Sequence, residues 1–310
     1  MKMKLRNIIL LLLIIITSSC IKDISLELPK AEEKLVIEAM IDSDDYPIVF
    51  ISKNSSYFTN IDTTILNASI VKGSDACVIV SNGAITDTLE PTIMERYPYH
   101  GYRGTKFKGE INKSYDLKIL YQDKEYNSTT TIPEPVPIDS VWFNLLPGND
   151  TMGFLGFKFT DPEKFGNYYT FYVKVLEQQK WYYRPSFGSH ILDDKLLNGQ
   201  EFSYTPLTKG YERNAYYHNV WLDEDLDFLS LVCFKVGDSV SIKMSAIDAN
   251  SFNFWSSVYR NVLTGSNPFT NPASVKSNIY GSPANGHWIG SGTHFTNVYI
   301  TDSATLILIP

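Results

Sequence analysis

A period of two in the hydrophobic pattern limits most strongly what this chain can fold into. Residues 114–121 put Tyr115, Leu117, Ile119 and Tyr121 on one side and Asp116, Lys118 and Leu120 on the other. Alternate side chains of an extended backbone point to opposite faces, so this stretch reads as a half-buried strand. Gln122-Asp123-Lys124 follow as a turn, and Tyr126, Ser128, Thr130 and Ile132 resume the alternation, which predicts a hairpin. Further short β-rich runs at 35–41, 48–52, 68–71 and 76–80 are bounded by turn residues. Strands this short over about a hundred residues predict an immunoglobulin- or transthyretin-like β-sandwich spanning 34–132.

Pro133, Pro135 and Pro137 then stand at alternate positions. Proline cannot donate to a central ladder and favours polyproline II, so 133–137 reads as a stiff linker between two domains. Beyond it, 138–310 is again β-rich, with strands expected at 140–145, 153–159, 168–176, 240–247 and 305–309. One conspicuous helix is expected at 251–263. Phe252, Trp255, Val258, Tyr259 and Val262 fall at helical spacing, Asn250 or Ser251 offers a cap, and Gly265 follows the end. The fold class is therefore mainly β, a sandwich followed by a second β-rich domain with one helix.

The first twenty residues address the chain rather than shape it. Lys2, Lys4 and Arg6 precede nine aliphatic residues at 8–16, and Thr17-Ser18-Ser19 lead to Cys20. Nine helical residues at about 1.5 Å each cannot cross a hydrocarbon core of about 30 Å, so the segment is a signal peptide and not a membrane span. Small residues before a cysteine fit a lipoprotein cleavage site. Residues 1–19 would leave, Cys20 would carry acyl chains such as palmitate, and 20–33 would become a lipidated tether. Three positive side chains leave with the signal, taking the net charge from −7 to −10. An acidic body argues against nucleic acid as a partner.

Two cysteines remain, Cys77 and Cys233, each in an apolar strand-like run. Buried thiols are the simpler reading, and an interdomain disulfide is the alternative. No HExxH, CxxC, GxSxG, P-loop or dinucleotide fingerprint occurs. No catalytic residue, metal ligand or cofactor is therefore assigned. His287 and His294 share a glycine-rich stretch without a neighbouring carboxylate or thiol, and a tight turn between strands accounts for it. Asp223-Glu224-Asp225-Leu226-Asp227 begins like a calcium loop, but Phe228 and Phe234 occupy the positions that need Gly and Glu.

Two patterns remain as candidate sites. Aromatic side chains are abundant, with 20 Tyr, 17 Phe and 5 Trp. Trp181, Tyr182 and Tyr183, with Tyr216, Tyr217 and Trp221, could form a platform for an oligosaccharide or peptide, since such rings combine apolar area with a polar handle. Separately, Asp followed by Ser or Thr and then by Thr or an apolar residue occurs six times, centred on Thr63, Thr88, Ser140, Thr151, Ser239 and Ser303. The triplet resembles the acceptor motif of general O-glycosylation in Bacteroidetes. A turn Asp ahead of a strand produces the same triplet, and both readings stand.

Taken in order, several short motifs carry a wider resemblance. They are Leu35-Val36-Ile37-Glu38-Ala39, the proline join, Asn167-Tyr168-Tyr169 after Asp161-Pro162, and Phe254-Trp255-Ser256-Ser257-Val258-Tyr259. Asn267-Pro268-Phe269, Pro272 and Ser277-Asn278-Ile279 complete the set. Together they resemble a Bacteroidetes lipoprotein family catalogued as domain of unknown function 4249. The resemblance implies an outer-membrane, lipid-anchored protein, surface-facing and often produced with a TonB-dependent receptor. It implies no reaction. The expected role is thus that of a non-enzymatic accessory or substrate-binding partner of a TonB-dependent transporter. The alternatives are a surface hydrolase acting on polysaccharide or peptide, and an adhesin or structural surface module.

Overall fold

A computed structural model describes residues 34–54, 62–95, 98–211, 228–264, 274–301 and 306–309. The signal segment, Cys20 and the tether, together with Tyr216, Tyr217, Trp221, the acidic run 223–227 and Ser303, lie outside the described residues.

In chain order the elements are β1 (Leu35–Asp42), β2 (Ile48–Lys53), α1 (Thr63–Ser69), β3 (Ala76–Ser81), β4 (Thr86–Thr88), β5 (Glu90–Ile93) and β6 (His100–Arg103). The hairpin β7 (Ser114–Tyr121) and β8 (Lys124–Thr131) precedes the proline segment. Past it come β9 (Ser140–Leu145), β10 (Met152–Thr160), β11 (Tyr168–Val175), β12 (Ile191–Asp193) and β13 (Glu201–Leu207). The chain ends with α2 (Phe228–Val232), β14 (Phe234–Lys235), β15 (Ser239–Ile247), α3 (Ala249–Thr264), β16 (Tyr280–Gly281), β17 (Ala284–Ile300) and β18 (Leu306–Ile309). The structure is mainly β, as the alternation requires.

The hairpin turns at Gln122 and Asp123, both at positive φ, the geometry that matches strand twist in a two-residue turn. The expected strand at 68–71 is not formed. Residues 63–69 are helical instead, because Asp62 caps α1 by accepting from Ile65 N at 2.8 Å, and only Ile70 bridges to a strand.

Three sheets organise the body. A nine-stranded sheet runs β12-β11-β15-β17-β1-β2-β6-β5, with β18 also on β17. A five-stranded sheet runs β16-β8-β7-β3-β4, and a four-stranded sheet joins β13-β10-β14 with β9 on β10. One face of the large sheet carries both cores. Ile37, Ile41, Val49 and Ile51 close on Val78, Val80, Tyr115, Leu117 and Ile119 of the five-stranded sheet, around the buried ring of Trp288. Tyr169, Phe171, Val240, Ile242 and Val298 close on Phe157 and Phe159 of the four-stranded sheet. Edge-to-face rings fix this second core, with Phe157–Phe171 at 5.3 Å and Phe159–Tyr169 at 5.0 Å.

The glycine-rich stretch around His287 is the main correction to the sequence reading. It is not a turn but the first half of β17, a strand of 17 residues. Its first half pairs parallel to β1, Leu35 with Ala284 through Asp42 with Ser291. Its second half pairs antiparallel to β15, Ile247 with Ser291 through Ser239 with Tyr299. The glycines serve close approach. A Cβ on Gly286 would lie 2.0 Å from the Ile37 carbonyl oxygen, and one on Gly292 would lie 1.9 Å from that of Pro133. Gly290 is similarly packed beneath Thr131. The proline segment therefore lies against β17 at the junction of the two cores, with Ile132 and Val136 buried.

Cys77 is exposed on β3, against the expectation of burial, whereas Cys233 is buried, and no disulfide joins them.

Gly292→Ala should lower stability by about 1–3 kcal/mol, because its methyl group must displace the Pro133 carbonyl. A urea-denaturation midpoint measures it; an unchanged midpoint would show that the join is not seated on β17.

Candidate functional site

With one face of the large sheet given to the cores, the other face carries a second, more polar set of side chains. Strand parity puts Asp42 of β1, Thr293 and Phe295 of β17, Ser241, Lys243 and Ser245 of β15, and Tyr168, Thr170, Tyr172 and Lys174 of β11 on that second face. The row is polar at its centre and aromatic at its margins.

At the centre Lys243 forms an ion pair with Asp42, both side chains about four-fifths covered. Burial alone would depress the Lys243 ammonium. The attraction of Asp42 outweighs it, and the group titrates above the ordinary lysine value. Tyr172 lies within the field of Lys243 and Arg184; burial dominates and raises its phenol. Hydroxyls pair around them, Ser245 with Thr293 at 2.8 Å and Tyr182 with Ser241 at 2.9 Å.

The loop after β11 folds back over this face. Tyr182 stands 5.7 Å from the ring of Phe295, and the Lys174 ammonium lies 5.8 Å from the Tyr182 centroid. Phe295 itself is 51 % exposed. Of the aromatic residues proposed from sequence, Trp181 lies beneath Lys180 at 5.9 Å, and Tyr183 is tied by its backbone to Val173. Tyr182 is thus the one built into the sheet face, and all three are half-buried. Tyr216, Tyr217 and Trp221 fall outside the described residues, so the six-residue platform is described only in part.

Helix α3 covers the neighbouring part of the same face. Its cap is Asp248, which accepts from Ser251 N at 2.7 Å and from Thr130 Oγ1 at 2.6 Å, a few residues ahead of the expected Asn250 or Ser251. The most buried positions are Ser251, Phe254 and Ser257, and Val262 is exposed, so the apolar stripe is rotated from the expected one. Phe252 stacks on Tyr168 at 4.9 Å. Trp255 is held between two histidines, 5.4 Å from His190 and 5.3 Å from His287, with the Arg184 guanidinium 5.5 Å from its centroid.

Both histidines are buried, and His190 Nε2 and His287 Nδ1 find no hydrogen-bond partner among the described residues. Burial, with Arg184 adding to it, lowers His190 to about 3, and burial lowers His287 to about 4. Both rings are therefore neutral near pH 7. Among the described residues no three His, Cys, Asp or Glu side chains gather as a metal site requires.

The five Asp-Ser/Thr triplets among the described residues sit at a helix cap, in or at the start of strands and in a loop, with differing exposure. Asp87 is buried and accepts from Thr105 N and Lys106 N at 2.7 and 2.9 Å, leaving Thr88 exposed. Asp139 accepts from Thr160 Oγ1 at 2.8 Å, and Asp238 accepts from Lys235 N and Gln178 Nε2, both at 2.8 Å. Ser140 and Thr151 are exposed, whereas Ser239 is half-buried. Thr63 begins α1 behind the Asp62 cap.

Sequence reasoning missed Asp42, Lys243, Tyr172, Phe295 and Arg184. The alternating Ser241-Ile242-Lys243-Met244-Ser245 was a visible signal for a polar strand face. Nothing local could have brought Asp42 to it.

Cavities are small. An open cleft of about 330 Å³ surrounds the β7–β8 turn, and a recess of about 100 Å³ is lined by Val36, Glu38, Phe50 and Pro98. The first is far in sequence and fold from the ion pair and is bounded only by residues 120–125.

Stability should fall as the medium is acidified below pH 6.5. The unfolded histidines bind protons near that value, whereas the folded ones resist until about pH 4 and about pH 3. Each contributes up to about 1.4 kcal/mol per pH unit across its window. Urea titrations at successive pH values, read by tryptophan fluorescence, should show the decline, and a His190→Gln, His287→Gln double variant should lose that component. An equal slope in the variant refutes it.

A comparison with curated proteins finds no match to the chain. A family model described as Domain of unknown function (DUF4249) matches residues 21–286. That is most of the sequence, up to the start of β17, and the chain belongs to this family.

Proposed function

We propose that the protein is a cell-envelope lipoprotein, held in the outer membrane by acyl chains on Cys20 and facing the surface. In this reading it acts by binding, as an accessory or substrate-capturing partner of a TonB-dependent transporter. The observation that carries the reading is the leader itself. A basic segment, nine aliphatic residues and Thr17-Ser18-Ser19-Cys20 precede a family match that begins at residue 21, directly after the cysteine that would carry the acyl chains.

The second sheet face supports binding over capture in an enclosed pocket. Its centre around Asp42 and Lys243 is largely covered, and it opens to solvent at a rim of Tyr182 and Phe295 rather than into a deep cavity. The small recesses found elsewhere lie at or below the size of most small-molecule sites, about 300–1,000 Å³. A polymer such as an oligosaccharide or an extended peptide, or the receptor itself, suits such a face. The exposed Thr88, Ser140 and Thr151 remain as sugar acceptors in this envelope setting.

In its own host the protein should incorporate labelled palmitate and fractionate with outer membranes, and Cys20→Ala should abolish both. Cross-linking of outer membranes should recover a TonB-dependent receptor with the wild type, and weaken for Lys243→Glu. Palmitate-negative wild-type protein would sink the anchor, and an acylated protein that recovers no receptor would sink the partnership. Intact mass matching the bare lipidated chain would remove the glycan reading.

A further inference from the structure

Two loops at one end of the large sheet are built in an unexpected way. The loop 161–167 before β11 and the loop 194–200 after β12 are cross-braced by two buried carboxylates. Asp194 accepts from Gly166 N and Asn167 N at 2.5 and 2.7 Å. Asp161 accepts from Gly199 N at 3.1 Å and from the Tyr169 hydroxyl. Asn198 Nδ2 donates to the Glu163 carbonyl at 3.1 Å, and Asn167 Nδ2 donates to that of Lys164 at 2.6 Å.

Yet this rigid frame presents large apolar side chains to solvent. Phe165 is 64 % exposed and Leu196 is 98 % exposed. Each follows a lysine, Lys164 and Lys195, and both lysines are exposed. Ordinary loop tips carry small or polar residues, and holding two bulky apolar ones outward on a braced frame calls for an apolar partner.

We infer that Phe165 and Leu196 form a two-pronged tip that inserts into the interfacial region of a phospholipid leaflet and orients the body on the membrane. The inference rests on the anchoring of Cys20 and adds where the folded body meets the lipid. Three observations favour lipid over a protein partner. Two side chains are far too little for a stable protein interface, which takes about 800 Å² from each side, but they suffice as a second contact for a chain already anchored. Lysine ahead of each prong lets the alkyl stem follow the apolar group while the ammonium stays at headgroup level. Lys195 pairs with Asp193 at 2.8 Å and Glu163 flanks Lys164, so the tip has no excess positive charge and contact comes from apolar insertion rather than from a basic patch.

The third observation is reach. Tyr168 pairs with Ile247, Ile247 with Ser291 and Ser291 with Asp42, so the tip lies beyond the Asp42 end of β1. Strand spacing and rise put Leu35 about 30–40 Å from it. The 13 residues 21–33 can extend about 45 Å, enough for the acyl anchor and the tip to share one leaflet.

Hydroxyl-radical footprinting of the full-length lipidated protein on phosphatidylethanolamine–phosphatidylglycerol vesicles tests this. Leu308, 72 % exposed, is an internal reference of the same chemistry, and Ile93, 79 % exposed, is a second. Oxidation of Leu196 relative to Leu308, and of Phe165 relative to Ile93, should fall about fivefold or more on vesicles. Leu196→Asp should restore oxidation of Phe165, and a side chain this exposed can change without disturbing the fold. Unchanged ratios on vesicles overturn the inference, including the case where protection appears only in native outer membranes, which would identify a protein partner. Protection of Phe165 that survives Leu196→Asp also overturns it. Flotation reports the anchor separately: protein that fails to float fails at Cys20, and protein that floats with unprotected prongs fails here.

Discussion

The parallel pairing of β1 with the first half of β17 is the interaction on which the rest of the structure depends. It joins the first strand of the body to a strand more than two hundred residues later, in a register of eight consecutive pairs. A parallel pair always needs a crossover connection, and here nearly the whole fold is that connection. The first core is incomplete until Trp288 enters it, where its indole N–H donates to the Tyr115 carbonyl at 2.9 Å. Asn278 completes the edge that β15 leaves open, accepting from Trp288 N and donating to Trp288 O, each at 2.9 Å. The two cores are thus local in composition but share one long strand, and contacts of such sequence separation make for slow, concerted folding.

That strand explains the glycines and the prolines together. Where β17 passes from one core to the other, something has to cover its core face between the two smaller sheets. The segment 132–137 does so, and it reaches backbone-to-backbone distance only because positions 290 and 292 lack a Cβ. Prolines suit the covering role because they need no ladder partner, and their stiffness keeps the chain extended between Ile132 and Val136, both buried. The same prolines that mark a boundary in the sequence therefore serve here as packing material.

Local pattern was legible and long-range pairing was not. The hairpin, most interior strands and the long helix follow from alternation or helical spacing that each segment carries by itself. β17 escaped because glycine, chosen for close approach, imitates a turn when its neighbour is unknown. Residues 63–69 escaped because Asp62-Thr63-Thr64 reads equally as a strand start or a helix cap, and only the capping hydrogen bond separates them. The candidate site was the least legible part. Tyr182 was visible as an aromatic, but its partners Ser241 and Phe295 come from β15 and β17. Asp42 meets Lys243 only through the β1–β17–β15 register.

The division of the large sheet into a core face and a working face bears on function in energetic terms. Pairing Lys243 with Asp42 under partial cover yields little net stability, since desolvation of both charges offsets most of their attraction. Among the described residues, His190 Nε2, His287 Nδ1 and Ser251 Oγ lie buried without hydrogen-bond partners around α3, and an unsatisfied buried polar atom costs about 1–3 kcal/mol. An apolar set at these positions would serve the fold better. The first core already has such a set, in Ile37, Val78, Leu117 and their neighbours, so the chain can build one. Polarity concentrated on the one sheet face that no core occupies, beside rings left half-exposed, is therefore better explained by what that face contacts than by what it holds together.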